Sequence, residues 1–189
     1  WRVAPEEWVV AAHDSDESIL IPHDLHGYES ALIAAQTLTK SGKRASVIKA
    51  HSPLQALAAI STHSEDLESD FSVEVETMSA AAASTISITI ARALREMNSE
   101  SGTVKAGAVI ALNEREIIAT GADEADVALA AIAKSITPAS QLITLVWGAG
   151  SVENLASELT ERIHQNFPSI EVTSYSGGQA WYPLLIGIE

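Results

Sequence analysis

Five side chains able to hold a metal or move a proton fall within the first 26 residues: His13, Asp14, His23, Asp24 and His26. Imidazole and carboxylate together suit Zn, Fe or Mn. No HExxH helix or other diagnostic spacing organises them, and His23 and His26 fall at a strand-to-helix turn, where polar caps are common. Exposed or capping roles are the favoured reading, with a metal-dependent hydrolase on His13, His23 and His26 as the outlying alternative. The turn after a strand is also where open α/β sheets place ligands.

Two glycine-rich stretches are the next candidates. Gly148-Ala149-Gly150-Ser151 follows an apolar run and opens a helix, so its amides face where an anion could sit. It lacks the third glycine and the acidic residue of a dinucleotide fingerprint, and no GxxxxGK[ST] occurs, so a tight strand-helix turn is preferred. Serines are many, but no GxSxG frames one as a nucleophile. Gly177-Gly178-Gln179 has the tripeptide with which release factors reach the ester of peptidyl-tRNA, or else makes a turn.

Charge decides the second case. The chain carries 25 acidic against 11 basic residues, a net charge of −14. Such a balance repels a phosphate backbone, and no Lys or Arg stands between Glu171 and Glu189. Nucleic-acid partners are excluded on that ground, and Gly177-Gly178 is read as a turn needing positive φ or close backbone approach. Gln179 is expected to tie that turn to neighbouring backbone, with Trp181 and Tyr182 packed beside it and Pro183 leading into a last strand.

The positioning elements follow from periodicity. Residues 1–17 read as a mixed lead-in. Ser18–Ile21 reads as a short strand, Glu29–Thr39 as a helix closed by Gly42, and Ala45–Lys49 as a second, parallel strand. Ser52 and Pro53 open another helix through Ile60, and a further one runs from about Leu67 to Ala81. Strict alternation at Ile86, Ile88 and Ile90 marks a half-buried strand. Arg92–Gly102 is polar and expected to be a mobile loop. A hairpin follows at Val109–Ala119, then an Ala-rich helix capped by Asp123, a central strand Leu142–Trp147, a helix from Ser151 to Phe167, and strands at Ile170–Tyr175 and Leu184–Ile188. The expected fold class is α/β in two lobes, a small parallel βαβ lobe over 1–83 and a mixed-sheet α/β lobe over 84–189.

Composition bounds the setting. Apolar residues make up 47% of 189, no run approaches the ~20 needed for a membrane span, and there is no cysteine. The N-terminus has no basic flank with an apolar core, so the expected location is cytoplasmic. Trp1 in place of Met points to a piece of a longer protein.

Several segments together resemble a known family. They are Ile19-Leu20-Ile21-Pro22-His23-Asp24, Ser52-Pro53-Leu54-Gln55-Ala56-Leu57-Ala58-Ala59, Lys105-Ala106-Gly107 and Gly177-Gly178-Gln179-Ala180-Trp181-Tyr182-Pro183 through Glu189. This pattern resembles the C-terminal region of the dihydroxyacetone-kinase-like family, whose members include the ATP-binding subunits of bacterial fatty acid kinase. The resemblance implies a C-terminal domain similar to DegV-type fatty-acid-binding proteins, arranged in two lobes. It places the Mg-ATP site in an N-terminal domain of the parent, leaving this chain without cofactor or catalytic residue. It implies a fatty-acid-binding partner protein that presents the acyl chain, docking of that partner or assembly of the kinase as this domain's task, a homodimer through the parent, and a place in phospholipid metabolism. Where the family has paired asparagines, this chain has His23 and Asp24. Candidate ligand- or partner-binding residues are His23, Asp24, Ser52, Gln55, Gly178, Gln179 and Tyr182. The alternative is a lipid or other small-molecule cleft between the lobes, with Ser52, Thr85 or His23 aimed at a carboxylate.

Overall fold

The structure, a computed structural model, describes residues 3–63, 70–99, 102–149 and 153–189. The chain divides into two compact units, one running to Thr85 and the other starting at Ile86. The fold class is mixed α/β throughout.

The first unit holds α1 (Pro5–Ala11), β1 (Glu17–Leu20), α2 (Leu25–Lys40), β2 (Arg44–Val47), α3 (Pro53–Ser61) and α4 (Phe71–Ser84). Strands β1 and β2 pair in parallel, with Ile19 opposite Ser46. Helices cover both faces. Leu20 packs with Ala31, Ala34 and Leu38 of α2, while Ile48 and Ala50 pack with Ala56, Ala59, Met78 and Ala82 of α3 and α4. Helix α1 stands where a lead-in was expected. Pro5 at its first turn needs no amide partner, and Glu7 accepts the Ala4 N–H at 2.7 Å. Helix α2 starts a turn earlier than its apolar periodicity alone requires, because Asp24 caps it. Helix α4 starts at Phe71 under an Asp70 cap; the expected start near Leu67 lies outside the described residues.

The second unit holds β3 (Ile86–Arg92), β4 (Met97–Ser99), β5 (Gly102–Val104), β6 (Val109–Asn113), β7 (Glu116–Gly121), α5 (Glu124–Ser135), β8 (Leu142–Trp147), α6 (Glu153–Asn166), β9 (Glu171–Ser176) and β10 (Leu184–Ile188). Six strands form one sheet in the order β7-β6-β3-β10-β8-β9, antiparallel except for the β8–β9 pair. Ile88, Ile90, Leu145 and Ile186 form one core with Val127, Ala131, Leu159 and Ile163 of α5 and α6. Alternation in β6 sends Val109 and Ala111 to that core, and Ile110 to a second cluster with Ala91, Ala93 and Val104. The segment expected to be a loop instead carries the β4–β5 hairpin, with Met97 opposite Val104. Burial of Val104, with half-buried Met97 packed on the same cluster, anchors it.

Candidate functional site

The flagged residues of the first unit stand at one end of the β1–β2 pair, in the turns that follow both strands. Asp24 Oδ1 accepts the Gly27 N–H at 2.7 Å, which caps α2. Ser52 Oγ accepts the Gln55 N–H at 3.2 Å, which caps α3. Gln55 closes the turn with both ends of its side chain: Oε1 accepts the His51 N–H at 2.8 Å, and Nε2 donates to the Thr85 carbonyl at 3.3 Å. The Tyr28 and His51 rings meet edge-on with centroids 5.3 Å apart, joining the two turns. Asp24, Ser52 and Gln55 therefore spend their polar atoms on the fold. His23 stays half-exposed, its Nδ1 3.9 Å from Asp24 Oδ2. His13 bonds to neighbouring Asp14 at 2.9 Å and is well exposed. Among the described residues no three His, Asp or Glu side chains gather closely enough to hold a metal ion, so His13, His23 and His26 do not form a centre.

The other flagged residues lie in the second unit, on a corner that carries the chain from β9 to β10 across the end of β8. The amides of Gly177 and Gly178 both donate to the Trp147 carbonyl, at 2.9 and 3.1 Å. Gly178 has φ +68°, a left-handed conformation that glycine adopts at little cost. A Cβ on Gly177 would overlap the side chains of Val146 and Gln179. The Gln179 side-chain amide donates to the Val146 carbonyl, and its main-chain carbonyl accepts the Ala149 N–H, both at 2.9 Å. The Gly148 N–H donates to the Pro183 carbonyl at 2.9 Å. The remainder of the glycine-rich stretch, Gly150 and Ser151, lies outside the described residues.

The corner forms one wall of an open groove of about 780 Å³. Its other wall is the end of β3 with the segment to Arg95, and Met97, Ile110 and Leu112 contribute apolar surface. Trp181 was expected to pack beside the turn; it is 88% exposed, and Tyr182 is 44% exposed. Leu94, across the groove, is 97% exposed. Arg92 donates to Glu124 at 2.7 Å, and Arg95 adds a second cation to the lining. The groove can desolvate apolar side chains and meet charge at its rim. Sequence reasoning had Gln179 and Tyr182 but missed Leu94 and Arg95. One signal was available, an apolar leucine between Ala93 and Arg95 in a polar stretch.

The sequence profile described as the FakA-like C-terminal domain of fatty acid kinase matches residues 8–189. The chain belongs to that family. Among curated relatives of this FakA-like domain, an uncharacterized protein of Staphylococcus saprophyticus is 26% identical over 145 residues, covering 76% of the chain and 26% of the relative. One of Staphylococcus haemolyticus is 25% identical over 97 residues, covering 51% of the chain and 18% of the relative. The domain thus spans about a quarter or less of the relatives it matches. Its fold is shared with the fatty acid kinase (Fak) B3 protein of Streptococcus pneumoniae, solved with linoleic acid (TM-score 0.71, 16% identity, 99% of this chain and 76% of that one). It is shared also with a DegV family protein of Eubacterium eligens loaded with heptadecanoic acid (TM-score 0.70, 14% identity, 100% and 78%). A third is the dihydroxyacetone kinase of C. freundii with AMP-PNP and Mg2+ (TM-score 0.72, 8% identity, 98% and 41%). No helix among the described residues is long and apolar enough to cross a membrane.

Proposed function

We propose that this domain is a non-catalytic docking module of a fatty-acid-kinase-like protein, and that the groove beside Gln179 receives an acyl-carrying partner protein. The observation that carries this reading is the pair Trp181 and Leu94, large apolar side chains held almost wholly in water on opposite walls of an apolar groove. Exposed aromatic anchors around a concave surface are the usual makings of a protein-binding hot spot. Family membership supplies the context. The parent's Mg-ATP would be bound by another domain, in keeping with the lack of a P-loop here. The partner would present a fatty acid whose carboxylate becomes the phosphoryl acceptor, in the cytoplasm, on the way to phospholipid.

The test is isothermal titration of the fatty-acid-loaded partner into the parent carrying Trp181→Ala or Leu94→Ser. Each is expected to weaken binding by roughly 30-fold, about 2 kcal/mol, without lowering the melting temperature. Undiminished affinity in both variants would sink the groove as the docking site. A fatty acid found bound to the purified domain by native mass spectrometry would move the assignment to lipid binding.

A further inference from the structure

We infer that the open edge of β2, with the outer stripe of α2, is a strand-addition site for an extended acidic segment of a separate protein. It lies in the first unit and is independent of the groove assigned above.

The backbone comes first. The Arg44 N–H donates to the Asp16 carbonyl at 2.8 Å and the Ile48 N–H to the Leu20 carbonyl at 2.9 Å. Residues at these alternate positions face β1, so Ala45 and Val47 point their N–H and C=O groups the other way. Among the described residues β2 has no second neighbour in its sheet. Parallel strands are ordinarily flanked and buried, and a bare edge is a template for another strand. Ala45-Ser46-Val47 has no proline, bulge or inward charge to blunt it.

Helix α2 then provides a wall. Its buried residues Gly27, Ala31, Ala34 and Leu38 face the core. A second stripe, Leu32, Ala35, Gln36, Thr39 and Lys40, follows the same helical spacing and lines an open groove of about 500 Å³ together with Ala45–Val47. Side chains on one face of an added strand would enter that groove, beside Leu32 and Ala35, while its main chain completes the ladder.

Charge selects the occupant. In a chain of net charge −14, the stretch from Ser30 to Ser64 contains no Asp or Glu and carries Lys40, Lys43, Arg44 and Lys49. Lys43 is engaged with the His13 and Ser15 carbonyls, and Arg44 pairs with Glu17. Lys40 and Lys49 have no salt bridge among the described residues, and they bracket the strand in sequence. A second copy paired antiparallel about a two-fold axis would set these cations against their own kind. An acidic segment meets them favourably. Four strand residues span ~13 Å, so a segment of about six residues with a carboxylate toward each end fits.

Fluorescein-labelled six-residue peptides with β-branched apolar centres and either acidic or lysine ends are titrated into the 189-residue chain and followed by anisotropy. The acidic peptide is expected to bind saturably, about tenfold more weakly to the Lys40→Glu/Lys49→Glu double variant. Its binding slows hydrogen exchange of the Ala45 and Val47 amides, read by nitrogen-15 NMR, and is lost in Val47→Pro, which removes an outward donor. The charge variant changes only exposed side chains, so the test survives a misfolded proline variant. Equal binding of the lysine-ended peptide, or none up to millimolar concentration, overturns the proposal. So does self-association in sedimentation that Val47→Pro abolishes, which makes the edge a homotypic interface. Binding to this chain but not to the longer parent assigns the edge to a segment of the same polypeptide and overturns it too.

Discussion

The side-chain amide of Gln179 donates to the main-chain carbonyl of Val146 at 2.9 Å and so fastens the loop after β9 to the strand beneath it. No other side-chain hydrogen bond among the described residues joins this loop to β8. Gln179→Leu keeps the bulk and removes the donor. A loss of about 1 kcal/mol in urea unfolding is expected, with a larger loss of partner affinity because the groove wall carrying Trp181 is no longer fixed.

The glycines of the same corner separate two physical effects. A Cβ on Gly148 would overlap the main-chain carbonyl oxygens of Tyr182 and Gln179, which cannot move without dislodging the loop. Gly178 has open space around it but a φ of +68°. Gly148→Ala should therefore cost more than about 3 kcal/mol, and Gly178→Ala about 1 kcal/mol. Chemical denaturation midpoints of the two variants check the ranking; a reversed order would refute the steric assignment.

Asp24 stands where the resemblance puts an asparagine, and its structural task is a cap that either residue performs. Asp24→Asn should melt within a degree or so of the parent, whereas Asp24→Ala should lose about 1 kcal/mol. If Asp24→Asn alters partner binding while leaving the melting temperature alone, the carboxylate has a recognition role beyond the cap.

Acid should loosen α4 through its own cap. The Ser72 and Val73 amides, above all, hold the Asp70 carboxyl below its usual value of 3.8, with a smaller contribution from Arg44. A carboxyl whose folded pKa is depressed contributes stability above its unfolded pKa and loses it as pH falls through the folded value. The window thus lies below about pH 4. Helicity followed by circular dichroism from pH 6 to pH 2 should fall less steeply in that window for Asp70→Asn than for the parent sequence. Identical profiles would remove Asp70 from the acid response.

Local chemistry was legible in the sequence, and distant pairing was not. The caps at Ser52 and Asp123, the hairpin of β6 and β7, and the Gln179 tie follow from a few adjacent residues. Helix α1 was hidden because it buries no residue completely and so lacks an apolar stripe, although Pro5, Glu6 and Glu7 carry a helix-start signature. The β4–β5 hairpin escaped because three-residue arms are too short to display alternation. The groove could not be found from one segment. Its walls are Ala91–Arg95 and Gln179–Pro183, brought together by the pairing of β3 with β10, a register that no local pattern encodes.

That pairing has a consequence for how the domain is made. β10 is the last strand of its sheet in the sequence, yet it lies between β3 and β8, which do not touch each other. As the chain emerges from a ribosome, β3 with β6 and β7, and β8 with β9, can form only as separate half-sheets with bare inner edges. Contacts this distant in sequence are slow to close, and bare edges recruit other chains in the meantime. The Gly177–Pro183 corner immediately precedes β10, so the groove is completed in the same late step that joins the halves. A nascent chain stalled before Leu184 would expose two sticky edges and have no finished groove to offer a partner.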